Sequence, residues 1–294
     1  MSSARHSDKN KIASSKSQNI TKNITAFFLF LAIAALSLSV CLKISFLNPV
    51  KHTEIFTNHD YVTSLYEDVK EYSYDLCLQS SIPADAVDEV ITYSNVFDIE
   101  EAYAQGQTGI SAEYTQTTYE DRLKEFSENL SSSLKKTVKQ YSLSNEKEAA
   151  KGAGEFAQRV TSYLKNKVEF VYMDKLVTIQ NLGKTVSVVL IVIFAILTLI
   201  LALVVFSVSD KRYRALRSIS HSFIAASLLQ LLFVSGVQII KQVKSLVIYP
   251  LYLSESVMKF INSCVLSVGI SAFVSFVISM VLITVVWKLK RNEK

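Results

Sequence analysis

Proline, glycine and cysteine are all scarce in this sequence of 294 residues, which has three prolines, seven glycines and three cysteines. So few chain-breaking residues exclude collagen-like, low-complexity and turn-rich all-β folds. Charge is scarce as well, because charged residues make up 19% of the chain, below the roughly 25% that is typical of soluble globular domains. The deficit is concentrated in four long apolar stretches, and this excludes a soluble single-domain enzyme.

The three cysteines do not form a disulfide framework. Cys41 and Cys264 lie in apolar stretches, and Cys77 is the sole cysteine of the polar block at 48–183. Secreted domains that depend on disulfides carry several cysteines close together. The cysteine usage therefore favours a bacterial cell membrane over a eukaryotic cell surface.

Four apolar stretches are each long enough to cross the hydrocarbon core of a bilayer, which takes about 20 residues of helix. They cover residues 24–47 (the first span and the few residues that leave the membrane after it), 184–208, 219–240 and 261–287. Lipid offers the backbone no hydrogen-bonding partner, so each stretch must be a helix. The sequence predicts an all-α, polytopic membrane protein with four transmembrane helices. The first is expected to remain as an uncleaved anchor, because its apolar run is too long for a signal peptide.

Basic residues dominate three polar segments, which are the N-terminal tail 1–23, the link 209–218 and the C-terminal tail 288–294. The block 48–183 is acidic instead, with 22 acidic and 13 basic residues. Since Lys and Arg collect on the cytoplasmic side, both termini are predicted to be cytoplasmic and 48–183 extracytoplasmic. Residues 241–260 then form an outer interfacial loop. The basic segments fit anionic lipid headgroups, so the bilayer is an expected partner and nucleic acid is not.

Hydrophobic periodicity in the block 48–183 predicts an extracytoplasmic helical bundle between the first and second spans. Three longer helices are expected at 57–80, from the capping sequence 118–121, and from Ser144, with short ones at 83–90 and 98–105, the latter stopped by Gly106. No proline lies between residue 144 and the second span, so the last helix is predicted to enter the membrane unbroken. Eleven of the 14 tyrosines lie in this block and supply either half-buried bundle positions or an interface.

The fourth span carries a stripe of serines at a spacing of four. Small residues at this spacing let helices approach closely, so the stripe is predicted to be a packing face. Two other interpretations of the stripe are open. The serines bond to the backbone of their own helix, or they form the polar lining of a conduit. A glutamine in the third span is expected to bond a serine of the fourth, because an amide in lipid needs a partner. The predicted helix-packing residues are Gln230, Ser263, Ser267, Ser271, Ser275 and Ser279.

Residues able to carry chemistry cluster just after the first span, at His52, Glu54, His59 and Asp60. The candidate catalytic residues are His52, His59 and Asp60, with His59 as a base that Asp60 or Glu54 orients. The alternative is a pair of solvated linker histidines. A spacing of seven is not the i, i+4 spacing of a helical zinc site, and the sequence has no Gly-x-Ser-x-Gly and no phosphate-binding glycine loop. Neither a metal nor a cofactor is expected.

The middle of each span lacks Asp, Glu, Lys and Arg, which proton-coupled transport and voltage sensing normally require. A channel or transporter is therefore the third alternative, and the leading expectation is a non-enzymatic function. The protein is predicted to be a binding, sensing or assembly subunit whose external domain binds a ligand or partner. Its spans are expected to pack against another membrane protein or a second copy of the chain. The alternative is a membrane-bound enzyme that acts on lipid or cell-wall precursors at the outer surface.

Overall fold

The structure is a computed structural model that describes residues 2–110, 116–140, 146–243 and 250–292. Within these ranges all regular secondary structure is helical, which confirms the predicted all-α class. The predicted helix start at Ser144 and the apolar stretch 244–249 lie outside the described residues. The elements are α1 (Ser2–Cys41), a π-helical turn (Leu42–Phe46), α2 (Pro49–Phe56), α3 (His59–Ser80), α4 (Asp85–Asp88), α5 (Tyr93–Thr108), α6 (Gln116–Gln140), α7 (Glu146–Val168), α8 (Met173–Val208), α9 (Arg212–Val243) and α10 (Leu251–Asn292).

Four helical stretches among the described residues are long and apolar enough to cross a membrane. They lie within Ile20–Phe46, Ala150–Val208, Arg212–Ile240 and Leu251–Arg291. The four predicted spans are thus confirmed as long apolar helices, and the chain fits a multi-pass membrane protein.

The chain divides into two compact units, each made of segments that are distant in sequence. The membrane unit consists of Met1–Leu47, Gly183–Ser245 and Asn262–Lys294, and it holds the apolar runs. The polar unit consists of Asn48–Leu182 and Leu246–Ile261.

In the membrane unit, α1 packs closely against α9. Small side chains such as Ala34, Ala215 and Ala226 are buried where these helices meet, and their size permits the close approach. Larger buried side chains, including Leu29 and Val205, fill the rest of this core. Most side chains of α8 are exposed instead, which is the arrangement expected of a helix surrounded by lipid.

In the membrane unit, the close packing of Leu47 leaves no room for a side chain at position 183, which is a glycine. A Cβ added at Gly183 would overlap the side chain of Leu47, at the exit of the first span. Leu47 itself is buried. A larger residue at position 183 would therefore have to displace Leu47.

In the polar unit, side-chain caps define where helices begin. Asn48 accepts a hydrogen bond from the amide of Val50 at 3.1 Å and starts α2, with Pro49 in its first turn. Asn58 accepts one from the amide of Asp60 at 3.0 Å and starts α3. The apolar faces of these helices meet in a common core whose fully buried members include Val62, Leu65, Val69, Ile99, Leu130, Leu134 and Leu164.

The structure corrects the predicted bounds of two elements. The helix expected at 98–105 runs over Tyr93–Thr108, because Thr92 caps it and Gly109, at φ 62°, ends it. Gly106 does not stop the helix. The segment 49–56, for which the sequence predicted no helix, forms α2, because Asn48 and Pro49 supply its cap and first turn.

The prediction of one unbroken helix entering the second span is wrong. Helix α7 ends at Val168 and α8 begins at Met173. Between them, the amide of Phe170 donates to the hydroxyl of Tyr103 at 3.0 Å. The ring of Phe170 packs against the ring of Phe56, with a centroid distance of 6.0 Å. These tertiary contacts replace the helical hydrogen bond that the sequence pattern implied.

Candidate functional site

The two histidines of the predicted catalytic segment lie in different surroundings. His52 is buried in α2, and its ring meets the ring of Phe260 edge-on at 5.3 Å. His59 is exposed at the first residue of α3, with Nδ1 3.0 Å from the hydroxyl of Tyr93. Burial gives His52 a packing role, and His59 has a tyrosine as its ring partner.

The carboxylates expected to orient His59 bind lysines. Asp60 forms an ion pair with Lys259, and the hydrogen bond from Lys259 lowers the pKa of Asp60. Glu54 pairs with Lys51 at 2.6 Å. Asp60 and Glu54 therefore pair with lysines, and the ring partner of His59 is a tyrosine instead of either carboxylate. In the parts of the chain that the structure describes, no group of three His, Cys, Asp or Glu side chains is placed to hold a metal ion.

The serine stripe of α10 faces neighbours within the membrane unit. The hydroxyl of Ser45 donates to Ser267 at 2.6 Å, and the hydroxyl oxygens of Ser220 in α9 and Ser279 lie 2.8 Å apart. Ser275 is buried and Ser271 is half-buried. Ser263 accepts from Ser267 through its carbonyl oxygen.

Gln230 is buried in α9, but its partner is not the predicted one. Its side-chain amide donates to Ser37 of α1 instead of to a serine of the fourth span. The reason is the close packing of α1 on α9, which turns Gln230 toward α1. Among the described residues its amide oxygen has no hydrogen-bond partner.

The polar unit carries a groove of about 430 Å³ along α3 and α7. Its aromatic wall is Tyr72 and Tyr163, whose rings stack with a centroid distance of 3.9 Å and an interplanar angle of 4°. Exposed polar side chains of α7 form the remainder, and they recur at helical spacing on one face. These are Glu155, Gln158, Arg159, Ser162 and Asn166.

Asp68 fixes the aromatic wall of this groove. It accepts hydrogen bonds from the hydroxyl of Tyr163 at 2.7 Å and from Lys167 at 2.8 Å. Burial opposes ionisation of Asp68, but these hydrogen bonds prevail and hold its pKa below the ordinary value. Tyr252 also donates to it, at 3.4 Å. A charged, multiply bonded carboxylate therefore holds Tyr163 in place within the polar unit.

A buried acid lies elsewhere in the polar unit. Glu100, in α5, is 0% exposed, and neither of its carboxyl oxygens has a hydrogen-bond partner among the described residues. Sequence reasoning missed both this residue and the groove. The sequence does indicate that Glu100 is buried, since it lies four residues after Val96 and three before Tyr103, on the apolar stripe of its helix. No sequence pattern indicates that Tyr72 and Tyr163, which are 91 positions apart, stack on each other.

No protein-family model, no curated protein and no solved structure matches this chain.

Proposed function

We propose that this protein is a non-enzymatic, multi-pass protein of a bacterial cell membrane whose polar unit binds a ligand or a protein partner. Both termini lie in the cytoplasm in this proposal, and the polar unit lies outside. The protein acts as a binding, sensing or assembly subunit, with a second membrane protein or another copy of the chain as its lateral partner.

The observation that carries the proposal is the groove along α3 and α7. Its size falls in the range of roughly 300–1,000 Å³ that is usual for small-molecule sites. Arg159 and Glu155 give it one charge of each sign, and Gln158 and Asn166 add amides that both donate and accept. Such a lining suits recognition of a polar group beside an aromatic surface. Its hydroxyl and its carboxylate, Ser162 and Glu155, are not hydrogen-bonded to each other, which supports binding in preference to catalysis.

The exposed surface of α8 supports the lateral partner. Along this helix, side chains such as Leu199 and Leu203 are 62% and 60% exposed. In a bilayer these side chains contact lipid or another apolar helix. The serine stripe is engaged within the chain, so in this proposal the partner uses a different face from the one expected from the sequence.

A photo-crosslinking amino acid placed at Arg159 in the full-length chain tests the binding role. Arg159 is exposed and lines the groove, so a bound ligand or partner lies within reach of the crosslinker. We expect irradiation of intact cells to give an adduct of defined mass at position 159. The adduct is identified by mass spectrometry of the purified protein.

The matched control carries the crosslinker at Lys124, which is exposed on α6 and does not line the groove. This control is expected to give no adduct of the same mass. A second variant, with Gln158→Ala and Asn166→Ala added to the crosslinker at position 159, is expected to lose most of the adduct. Equal adducts at both positions, or none at position 159, would contradict the proposal.

A further inference from the structure

Glu100 is an ionisable residue whose charged form would have no partner in the folded chain. It lies in the middle of α5 between the buried residues Val96, Ile99 and Tyr103. An ionised carboxylate in such surroundings is costly unless it is paired or hydrogen-bonded. Among the described residues neither carboxyl oxygen has a partner of either kind. The folded core therefore accommodates the neutral acid.

The groups around Glu100 are tyrosines from several helices. Tyr61 of α3, Tyr103 of α5 and Tyr119 of α6 are all buried, and each is close enough for a charge on Glu100 to raise the pKa of its hydroxyl. The ring of Tyr252 meets Tyr61 edge-on at 5.2 Å. Burial is the first cause of the raised pKa of these three hydroxyls, so they stay neutral while Glu100 titrates.

Several titratable groups on the helices that pack against α5 have partners of their own. In α2, His52 is buried against Phe260, and Lys51 pairs with Glu54. In α3, Asp60 pairs with Lys259. In α6, Glu120 pairs with Lys165 at 3.1 Å, and the hydroxyl of Tyr119 donates to Glu169 at 3.4 Å. None of these groups is hydrogen-bonded to Glu100, whose carboxyl oxygens have no hydrogen-bond partner among the described residues. Burial raises the pKa of Glu100 well above the ordinary value.

We propose that Glu100 is a proton-operated switch in the polar unit. With its proton bound, the neutral acid lets α5 pack against α2, α3 and α6. When the proton is released to solvent, the carboxylate must reach water, and this loosens the packing around α5. The ligand of this site is the proton itself, and the conformational change is a local opening of α5.

The direction of the pH dependence follows from linkage. In an opened helix Glu100 has an ordinary pKa of about 4.3, whereas in the packed helix its pKa is raised. The stabilisation that protonated Glu100 gives to the packed helix is therefore fully present below about pH 4.3. It is lost as the pH rises through the raised pKa of the packed helix. Because one proton is involved, the equilibrium constant for packing falls by up to about tenfold for each pH unit within that window.

Hydrogen–deuterium exchange of the full-length chain in lipid nanodiscs tests this switch. Exchange of α5 amides is measured from pH 5 to pH 9 and corrected for the intrinsic pH dependence of amide exchange. In the wild type, protection of α5 is expected to fall with rising pH. Glu100→Gln keeps a neutral side chain of the same shape, so its protection is expected to stay constant. The matched control is Glu101→Gln, since Glu101 is half-buried and accepts a hydrogen bond from Gln105; it is expected to behave like the wild type.

Infrared spectroscopy gives a second readout that does not depend on how the variant folds. Above the ordinary pKa of glutamic acid, the wild type is expected to show the carbonyl stretch of a protonated carboxylic acid. This band is expected to persist in Glu101→Gln and to be absent in Glu100→Gln. A wild type without this band, or with pH-independent protection of α5, would overturn the switch. So would a Glu100→Gln variant whose protection still falls with pH.

Discussion

Burial decides the chemistry of individual side chains in the polar unit, and Cys77 is a clear case. Its side chain is 2% exposed in α3, and burial raises the pKa of the thiol to about 11. The thiolate is the reactive form of cysteine. Near neutral pH this residue is therefore both protonated and out of reach of reagents.

We predict that Cys77 reacts with maleimide at least about a hundredfold more slowly in the folded chain than after denaturation. The shift of the pKa from 9.0 to about 11 alone lowers the thiolate fraction by about that factor. The measurement is mass spectrometry of the peptide that contains Cys77 during a labelling time course at pH 7.

The neighbouring position provides the control. Leu78 is 80% exposed on the same helix, so a Cys77→Ser, Leu78→Cys variant is expected to react at the rate of a free thiol. Similar rates for the two positions would show that α3 does not bury the face that carries Cys77.

At this scale the sequence indicated which residue types were available, but not what they would contact. His59 and Asp60 are adjacent in sequence, yet their partners are Tyr93 and Lys259, which lie far along the chain. Gln230 donates a hydrogen bond to Ser37, and this partner depends on which two helices pack together. Partners of polar side chains follow from tertiary packing, which residue spacing alone does not give.

Among the elements, α10 shows how a stripe of small residues is used. Ser279 and Ser220 are both fully buried, and each hydroxyl donates to the carbonyl oxygen of the other residue, at 3.0 and 3.2 Å. This reciprocal pair joins α9 to α10 without any larger side chain between them. It resembles the close contacts that small residues permit in membrane helices.

We predict that Ser279→Leu destabilises the membrane unit by about 1–3 kcal/mol, because a larger side chain in a filled contact forces the helices apart. The measurement is unfolding of the purified chain in a titration with denaturing detergent, followed by helical circular dichroism. Val281→Leu is the control, since Val281 is 56% exposed on the same helix and surface changes usually alter stability by less than about 0.5 kcal/mol. If both variants unfold at the same detergent fraction, the contact between α9 and α10 is not formed as described.

Elements with a strong pattern were predictable, and elements that depend on partners were not. The apolar runs of α1, α8, α9 and α10 are explicit in the sequence, because crossing a bilayer demands length and composition together. The end of α7 at Val168 depends on Tyr103, which accepts the hydrogen bond of Phe170. Nothing near residue 170 in the sequence indicates that acceptor.

For the whole molecule, the distribution of charge is the property that sets its orientation in our proposal. Four basic residues lie close together where α9 begins: Lys211 precedes the helix, and Arg212, Arg214 and Arg217 lie in its first turns. The block 48–183 has an excess of acidic residues. Clustered Lys and Arg near the ends of spans remain on the cytoplasmic side. The same four spans, running in the opposite direction, would place both termini outside.

Cysteine labelling in intact bacterial cells distinguishes the two orientations. A membrane-impermeant maleimide is expected to label Leu78→Cys, because that position is highly exposed in the polar unit, and not to label Arg212→Cys until the cells are permeabilised. Both variants also carry Cys41→Ser, Cys77→Ser and Cys264→Ser, so labelling reports only the introduced thiol. Labelling of Arg212→Cys in intact cells, with Leu78→Cys protected, would reverse the orientation. The polar unit would then face the cytoplasm, where its groove meets a different set of ligands and Glu100 a different range of pH.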